Sequence, residues 1–162
     1  MSFFVRQATI EDIKLVLSIL CEAARWLEQE NMSLWTMDEI SPKCLFPDIT
    51  VGLYYIAFCA DSPAGVVRFQ LEDQLFWDDI DNDDSAFIHR LAVRRKFAGG
   101  SVSIALLNWA VERAQKLGKR YLRLDCAADR QKLRSLYEKF GFIHHSNKQV
   151  GAFFVARYEY AL

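Results

Sequence analysis

The feature that most constrains the fold is a succession of strand, helix and strand in the second half of the chain. AFIHRLAV (86–93) has the apolar content of a buried strand, and RYLRLDCA (120–127) has the same character. Between them apolar residues recur at helical spacing, and Gly118 is placed to end that helix. The predicted stripe consists of Val102, Ala105, Leu106, Trp109, Ala110, Ala114 and Leu117. A helix that joins two strands in this way predicts a βαβ crossover, with both strands parallel in one sheet.

The first fifty residues predict one strand followed by helices. FFVRQAT (3–9) is rich in aromatic and β-branched residues, and Thr9–Asp12 (TIED) reads as a capping box that opens a helix. Apolar residues at helical spacing predict that this helix buries one stripe, which consists of Ile13, Val16, Leu17, Leu20, Ala24 and Leu27. The next segment, 31–48, has loop and short-helix signals, with breaks expected at Pro42 and Pro47.

The remaining segments predict more strands and one more helix. Residues 52–73 read as a hairpin with its turn at Asp61, Ser62 and Pro63, and the acidic loop FWDDIDNDDS (76–85) follows. DRQKLRSLYEKF predicts a helix that Gly141 ends, and FIHHS and AFFVARYEYA are the last two strands. Antiparallel strands therefore come first and the crossover follows. This order predicts an α/β (α+β) fold with a mixed, mostly antiparallel sheet of about six to seven strands, flanked by helices on both faces.

The composition is that of one ordinary globular domain over residues 1–162. A chain of 162 residues, 52% apolar and 25% charged, can bury a core without disulfides or metals. Its net charge of −1 gives no case for a nucleic-acid partner. We expect no membrane association, since no apolar run reaches the roughly 18 residues that a span needs. The start of the chain lacks the layout of a signal peptide, so we expect a cytoplasmic protein.

The cysteines predict neither disulfides nor a metal site. They are widely spaced, with no CxxC pair and no neighbouring histidine at ligand spacing. We expect reduced, mostly buried thiols at Cys21, Cys44, Cys59 and Cys126.

The turn before the crossover helix is a candidate anion site. RRKFAGG (94–100) places basic and small residues directly before that helix. Free N–H groups at a helix start attract phosphate, and small residues let a phosphate approach the backbone. The alternative is a glycine-rich connection capped by Ser101. Walker and Rossmann phosphate loops are excluded, because the segment has neither a Gly-Lys-Ser/Thr ending nor GxGxxG spacing.

The order and spacing of the motifs from about residue 86 to 142 resemble the GNAT superfamily of acyl-CoA-dependent N-acetyltransferases. The segments that carry the resemblance are HRLAVRRKFAGGSVSIALLNWAVERAQKLGKRYLRLDC and LYEKFGF. The N-terminal half is compatible in element order but has no motif of its own. The resemblance implies a single-domain GNAT-like fold, acetyl-CoA as the co-substrate without a metal, and acetyl transfer to an amine by direct attack.

The resemblance also implies roles for individual residues. The backbone of Leu91, Ala92 and Val93 would meet the acetyl carbonyl and the pantetheine arm. His89 stands where arylalkylamine members of the family carry a histidine that serves as the base, and Tyr137 would protonate the departing thiolate. The pyrophosphate of CoA would be held by the backbone N–H groups of Gly99, Gly100, Ser101, Val102, Ser103 and Ile104.

The phosphate loop departs from the usual family pattern of Gln or Arg, two residues, Gly, one residue, then Gly or Ala. Ala98, Ser101 and Ser103 occupy those places here. A serine keeps contacts that come from backbone N–H groups, whereas Ala98 removes a cationic side chain. The departure predicts weaker CoA binding unless a neighbouring cation replaces the lost positive charge. The candidate cations are Arg94, Arg95 and Lys96.

Each catalytic role has a structural alternative. His89 also suits a histidine packed in the sheet, and Tyr137 also suits a core position of the last helix. Arg130, where many family members have Asn, predicts a change in how substrate or pantetheine is held. His144 and His145 point to opposite faces of a strand and receive no role. The other candidate bases are Glu72, Asp78, Asp79, Asp81, Asp83 and Asp84.

The acceptor pocket is less defined than the donor site. Trp26 and Trp35 come from the region that walls this pocket in the family, and they either form an aromatic face for the substrate or cover the core. The acidic loop either draws in a cationic amine or is simply solvated. The expected partner is a small-molecule or peptide amine. Small amine, antibiotic, peptide N-terminus and protein lysine all stay open, and the last two strands offer an edge for a homodimer.

Two functions from different classes follow. The first is an N-acetyltransferase that uses acetyl-CoA. The second is a GNAT-fold binding or regulatory module with weak or no CoA binding, which acts through protein contacts. The loop departures favour the second function, whereas His89 and Tyr137 favour the first.

Overall fold

The elements occur in the order that the sequence predicts. A computed structural model describes residues 2–32, 35, 36 and 38–162. Among these residues the helices are α1 Ile13–Gln29, α2 Pro42–Thr50, α3 Ser101–Lys116 and α4 Gln131–Phe140. The strands are β1 Phe3–Gln7, β2 Tyr54–Cys59, β3 Ser62–Gln70, β4 Ser85–Val93, β5 Tyr121–Ala127, β6 Ile143–Val150 and β7 Phe153–Ala161.

The strands form one mixed sheet, as predicted. Their order in the described part of the chain is β1-β2-β3-β4-β5-β7-β6. β4 and β5 run parallel, which confirms the predicted crossover through α3, whereas β1–β2, β2–β3, β5–β7 and β6–β7 are antiparallel. The fold is therefore the predicted α+β arrangement around a mostly antiparallel sheet.

By proximity of its segments the chain groups into two compact units. The first consists of Met1–Arg68 and Arg90–Leu107, and the second of Phe69–His89 and Asn108–Leu162. In the first unit the predicted capping box is present, but it caps a 3-10 turn, Ile10–Asp12, that leads directly into α1; the Thr9 backbone N–H donates to Asp12 Oδ2 at 2.8 Å. The Arg6 guanidinium donates to both oxygens of Asp12 at 2.8 and 2.9 Å. These hydrogen bonds fix the start of the helix, so the buried stripe of α1 can pack in a defined register.

The core of the first unit is built on that stripe. Its central side chains show 2% exposure or less, which is the environment that the helical periodicity predicts. They come from α1, the segment around α2, and strands β2 and β3: Val16, Ile19, Leu20, Ile40, Leu45, Ile49, Tyr54, Ile56 and Val66.

Gly65 allows a close approach in the first unit that no larger residue would permit. A Cβ placed there would lie 2.8 Å from the Ala92 carbonyl oxygen and 3.1 Å from Val102 Cγ1. The end of β4 and the first turn of α3 therefore pack directly against the backbone of β3. Arg94 N donates to the Ala64 carbonyl at 2.8 Å and continues this contact past the end of β4.

Two buried arginines pack against Trp77 in the second unit. Trp77 is fully buried, and the guanidinium groups of Arg123 and Arg157 lie over its ring at 5.4 and 4.6 Å. Arg157 donates to Asp79 at 2.7 and 3.0 Å, to the Phe76 carbonyl and to Ser146 Oγ. Arg123 donates to Glu159 Oε2 at 3.2 and 3.1 Å, so each of these buried cations has acceptors, as burial requires.

Four local predictions are wrong. Pro47 lies inside α2 rather than at a break, since its fixed φ suits a helix and only one backbone hydrogen bond is forgone. The hairpin turn is Ala60 and Asp61, because Cys59 already pairs with Ser62 and Pro63 lies in β3. Leu117 follows the end of α3 and is exposed. Cys44 is also exposed, and its Sγ donates to the Asp38 carbonyl at 3.2 Å.

The other cysteines fit the prediction more closely. All four are free thiols, with Cys59 and Cys126 buried and Cys21 half-buried. Among the described helices, none combines the length and the apolar character that crossing a bilayer would require.

Candidate active site

The candidate active site lies where two parallel strands of the second unit separate. β4 and β5 pair from Ser85↔Tyr121 to Phe87↔Arg123, and both strands continue after this pairing ends. Side chains two residues apart on a strand share a face, so the next pair on the face of Phe87 and Arg123 is His89 and Asp125. These two side chains face each other at the point where the strands part.

Asp73 completes a group of three titratable side chains there. His89 Nε2 lies 2.7 Å from Asp73 Oδ2, and His89 Nδ1 lies 3.7 Å from Asp125 Oδ2. The side chains of His89, Asp125 and Asp73 are 14%, 8% and 3% exposed. The first contact is a hydrogen bond and the second is longer than one. Asp125 Oδ2 is buried and has no hydrogen-bond partner in the described structure.

The loop before β4 fixes the position of Asp73. Asp73 Oδ1 accepts from the backbone N–H groups of Leu75 and Phe76 at 3.0 and 2.9 Å. The Asp73 N–H donates to Asn82 Oδ1 at 2.6 Å, and Asn82 Nδ2 donates to the Trp77 and Ile80 carbonyls. The Asp73 carboxylate is therefore held by the backbone on one oxygen and presents the other to His89.

The two carboxyl groups differ in their electrostatics. Burial pushes the pKa of Asp73 upward, but the hydrogen bond and charge of His89, with the Phe76 and Leu75 amides, lower it below the ordinary value overall. Burial raises the pKa of Asp125 to about 6, although the charges of His89 and Arg157 act in the opposite direction. Asp73 is therefore an ionised acceptor at neutral pH, whereas the charge of Asp125 is poorly stabilised.

This difference assigns the tautomer of His89. An ionised Asp73 accepts a hydrogen bond from Nε2–H, so in the neutral ring Nδ1 carries the lone pair. Nδ1 is the atom on the Asp125 side. The imidazole thus presents a proton acceptor toward the place where the strands separate.

The same three residues form a donor set that a metal ion could bind. One ligand atom from each of Asp73, His89 and Asp125 lies within 4.8 Å of the other two. Asp73 Oδ2 and His89 Nε2 touch each other directly, however, and an ion bound to both would have to replace that hydrogen bond. The observed geometry is that of a histidine hydrogen-bonded to a carboxylate.

The opposite face of β5 carries Tyr137. Cys126 follows Asp125 and therefore points to the other face, where Tyr137 of α4 is buried. The Tyr137 hydroxyl makes no hydrogen bond to the residues that the structure describes. Burial is the main cause that raises the pKa of Tyr137, and Cys126 adds to it, whereas the charge of Arg130 lowers it. The phenol therefore keeps its proton throughout the neutral range.

Cys126 is equally unreactive in its surroundings. Burial raises the pKa of its thiol to about 12, and the charge of Asp125 adds to this effect. A thiol with so high a pKa is neutral at pH 7 and a poor nucleophile.

The acidic loop is less negative than its sequence indicates. Lys148 pairs with Asp78, Arg157 pairs with Asp79, and Arg123 lies 3.5 Å from Asp84. Three of the five loop aspartates therefore have cationic partners, and these contacts favour an anchoring role for the loop. Glu72 is exposed, and its carbonyl accepts from Gln70 Nε2.

The predicted phosphate loop lies in the first unit. Gly99 and Gly100 adopt φ values of 129° and 100°, and no atom lies within 4 Å of a Cβ placed at either position. Ile104 N donates to the Gly100 carbonyl at 2.8 Å, so this N–H is used inside the helix. Across the described residues, the backbone N–H groups without a hydrogen-bond acceptor here are those of Gly99, Gly100, Ser101, Val102 and Ser103.

The three cations beside this loop are not equivalent. The Arg94 guanidinium lies 3.5 Å from Glu22 and donates to Ser18 Oγ at 3.2 Å. The Arg95 guanidinium stacks on the Trp26 ring at 3.9 Å. Arg94 and Arg95 are thus drawn to α1, while the Lys96 ammonium lies 5.0 Å from the Phe97 ring and has no acidic partner within the described ranges.

The two predicted acceptor-pocket tryptophans differ in their surroundings. Trp26 lines a groove of about 510 Å³ along α1, together with Leu17, Arg25 and Arg95. Trp35 is partly buried and packs against the hydrophobic core of the first unit. Trp26 therefore borders a space that a ligand could enter.

Sequence reasoning named His89 as a candidate but not the two carboxylates around it. Asp125 could have been suspected, because a charged residue at an inward position of an apolar strand requires a partner. Asp73 gave no such signal, since it lies in a polar loop 16 residues before His89. Its role depends on backbone contacts that sequence spacing does not reveal.

Comparison with known proteins identifies the family of the chain. Residues 20–142 match the model of the Acetyltransferase (GNAT) family. The chain is 29% identical over 148 residues to the uncharacterized N-acetyltransferase YesJ of Bacillus subtilis (strain 168), an alignment that covers 86% of this chain and 81% of that protein.

Solved structures share the fold over nearly the whole chain. A GNAT-family acetyltransferase from Listeria monocytogenes 4b F2365 superposes with a TM-score of 0.82 at 24% identity, covering 99% of this chain and 95% of that one. The PaiA N-acetyltransferase of Thermoplasma acidophilum, solved with coenzyme A, gives 0.77 at 20% identity, with 99% and 100% covered. Since the family model spans more than half of the sequence, the chain belongs to the GNAT acetyltransferase family.

Proposed function

We propose that the protein is an N-acetyltransferase that moves an acetyl group from acetyl-CoA to an amine by direct attack. The observation that carries this proposal is the position of His89, held between Asp73 and Asp125 where β4 and β5 part, in a chain of this family. Attack on a thioester needs a neutral amine, so a positioned base is the first requirement. His89 Nδ1 supplies it.

The loop at the start of α3 suits the diphosphate of CoA. Its free amides are fixed donors, and the partial positive charge of a helix start favours an anion. Because backbone groups supply these contacts, Ser101 and Ser103 keep them despite the departure from the family pattern. Gly99 to Ser103 would bind the pyrophosphate, and the backbone of Leu91, Ala92 and Val93 would meet the pantetheine arm and the acetyl carbonyl. The bound co-substrate supplies an acetyl thioester.

Tyr137 is the proposed proton donor to the leaving sulfur. Its raised pKa keeps the phenol protonated until a thiolate forms beside it. His89 and Tyr137 lie on opposite faces of β5, so the base and the acid act from opposite sides of the sheet. This arrangement keeps the two proton transfers separate.

The atoms balance in a single displacement. An ammonium acceptor loses one proton to His89, and the freed lone pair forms the C–N bond while the C–S bond breaks with its electrons on sulfur. Tyr137 gives the sulfur a proton and regains one from solvent, while the second nitrogen proton leaves to solvent as the adduct collapses. The products are an amide, a free thiol and a proton carried by His89. A covalent acyl-cysteine is not required, and Cys126 is too basic to form one readily.

The remaining parts of the proposal are the acceptor, the domain organisation, the location and the oligomeric state. The acceptor is a small-molecule or peptide amine, and Trp26 borders the groove that would contribute to its binding. One domain over 1–162, a cytoplasmic location and a homodimer through the β6 edge stay predictions. Free thiols at all four cysteines are compatible with a reducing compartment.

The competing function is a GNAT-fold regulatory module without useful CoA affinity. It is favoured by Ala98, which leaves the loop without its usual cation, and by the attachment of Arg94 and Arg95 to α1. Calorimetry with acetyl-CoA separates the two functions. The enzyme predicts saturable heat and a higher Tm, whereas no heat and no thermal shift at millimolar acetyl-CoA would exclude it.

Tyr137→Phe tests the mechanism once binding is established. We expect kcat to fall about 10²-fold, because general acid catalysis typically contributes that much, while the Kd for CoA stays within twofold. Measuring thiol release and calorimetric affinity on the same preparation gives both values. An unchanged kcat would remove Tyr137 from the mechanism.

A further inference from the structure

We propose that Asp125 receives the acceptor as a protonated ammonium ion and thereby selects alkylamines over neutral nitrogen nucleophiles. This inference rests on the proposed function and names the substrate class of that same site. The observation behind it is the carboxylate oxygen Oδ2 of Asp125, which is buried, unpartnered and directed at His89 Nδ1.

An unpartnered buried carboxylate calls for a cation. An ionised group in such a place is strongly destabilising unless a charge or hydrogen bonds compensate it. The other largely buried acidic side chain in this unit, Asp73, has such partners. It accepts hydrogen bonds from two backbone amides and contacts His89. Arg157 lowers the pKa of Asp125 by its charge, but its guanidinium hydrogen bonds go to Asp79, Phe76 and Ser146.

The spacing fits one nitrogen atom. The 3.7 Å between Asp125 Oδ2 and His89 Nδ1 is too long for a direct hydrogen bond and short enough for one donor atom to touch both. An alkylammonium nitrogen has three N–H groups, so it can donate to the carboxylate and to the imidazole lone pair together. The proton that goes to Nδ1 is then already in place when the amine binds.

Within the described group, Asp125 is the acid whose oxygen beside His89 has no hydrogen-bond partner. The charged and titratable groups that face His89 and Asp125 are Asp73, held by backbone amides, and Arg157, a cation. The Phe76 ring lies 5.9 Å from the His89 ring. Asp73 is a positioning residue, since it acts on the acceptor only through the orientation and tautomer of His89.

Binding and selectivity test the inference together. CoA-saturated protein is titrated calorimetrically with alkylamines from methylamine to hexylamine and with the alcohols of the same lengths. We expect at least one alkylammonium to bind tenfold or more tightly to the wild type than to Asp125→Asn, whereas the alcohols do not distinguish the two proteins. The matched control Asp61→Asn removes one exposed charge in the hairpin turn and leaves these affinities within twofold.

Two further measurements distinguish failure of the inference from misfolding of the variant and from failure of the proposed enzyme function. In ¹⁵N NMR of the wild type, hexylammonium should shift His89 Nδ1 while hexanol does not, and Nε2 should carry the proton in the free protein. In kinetics, Asp125→Asn should lose at least tenfold in kcat/KM for alkylamines and less than twofold for aniline, which is neutral at pH 7.

Each possible result supports or overturns the inference about Asp125. Equal alkylammonium affinity in wild type and Asp125→Asn, or a proton on Nδ1 of free His89, would overturn the inference even if acetyl transfer occurs. Ammonium binding that depends on Asp125 without any acetyl transfer would support the inference and reject the proposed function. Activity that chelators abolish and Zn²⁺ restores would make the three residues a metal site and would also overturn it.

Discussion

The loops on either side of β4 are built in opposite ways. The β3–β4 loop (residues 71–84) is anchored by side chains: Asp73 and Asn82 bind its backbone, and Trp77 is buried against two arginines. The β4–α3 loop (residues 94–100) ends in two glycines in open space and leaves main-chain N–H groups free. The first loop fixes the position of the Asp73 carboxylate, and the second offers a row of backbone donors.

The difference predicts that the two loops tolerate different changes. A loop whose function depends on side chains loses it when a side chain changes. A loop that acts through amides tolerates Ala98, Ser101 and Ser103 as long as its backbone conformation survives. The four predictions below run from the largest expected effect to the smallest. Three of them change these loops and test the contrast, and the second changes Asp125 of β5, which faces His89.

Replacing the anchor of the β3–β4 loop should have the largest effect. We expect Trp77→Ala to lower the free energy of unfolding by about 3 to 5 kcal/mol, because it opens a cavity and removes the surface on which Arg123 and Arg157 rest. Urea unfolding followed by circular dichroism measures this change. Lys96→Ala, in the other loop, should change stability by less than about 0.5 kcal/mol. Comparable losses in the two variants would contradict the contrast.

Asp125→Asn should stabilise the protein in a pH-dependent way. Because folding raises the pKa of Asp125 from 3.8 to about 6, the folded chain binds this proton more tightly than the unfolded chain. The cost of ionisation is absent below about pH 4, grows between about pH 4 and 6, and stays constant above that. The variant should therefore gain about 3 kcal/mol at pH 8 and little at pH 4.

Urea unfolding at the two pH values gives the comparison for Asp125→Asn. The exposed control Asp61→Asn should show no such difference between pH 8 and pH 4. A variant of Asp125 that is equally stable relative to wild type at both pH values would show that its carboxyl is not destabilised by burial.

Changing the backbone of the β4–α3 loop should weaken CoA binding. Gly99 has a φ of 129°, so an added Cβ costs about 1 to 2 kcal/mol in backbone strain even though the space around it is open. We expect Gly99→Ala to raise the Kd for CoA about 5- to 30-fold. Ser101→Ala keeps the amide and should stay within twofold. A larger loss for Ser101→Ala would show that side chains, rather than amides, hold the phosphate.

Restoring the missing cation should have the smallest effect. Ala98→Arg places a guanidinium on an exposed position before the glycines, and exposed ionic contacts contribute about 0.2 to 1 kcal/mol. We expect the Kd for CoA to fall two- to fivefold at low salt and this gain to disappear in about 1 M salt. A gain that persists at high salt would indicate a direct, desolvated contact instead.

The sequence predicted the elements well because each carries its own local signal. The helical stripes of α1 and α3, the TIED capping box and the closing glycines at 118 and 141 all act within a few residues, and the structure contains each of them. His89 and Tyr137 could be selected only by resemblance, and their catalytic roles stay predictions.

The carboxylates were missed for a physical reason. Asp73 meets His89 because the β3–β4 loop folds back through Asn82 and two amides. Asp125 meets His89 because β4 and β5 align in parallel register. Both contacts arise from tertiary structure, which periodicity and propensity do not encode. The wrong turn at Ser62 and the wrong break at Pro47 are smaller errors of the same kind, since pairing and helix geometry overrode local preference.

The uneven burial of the thiols makes this protein suited to a simple colorimetric assay. Cys59 and Cys126 are buried and Cys44 is exposed, so a thiol-reactive dye that reports released CoA should label Cys44 first. Replacing Cys44 with serine would remove that background signal. The same burial should protect Cys126, next to Asp125, from mild oxidants during purification.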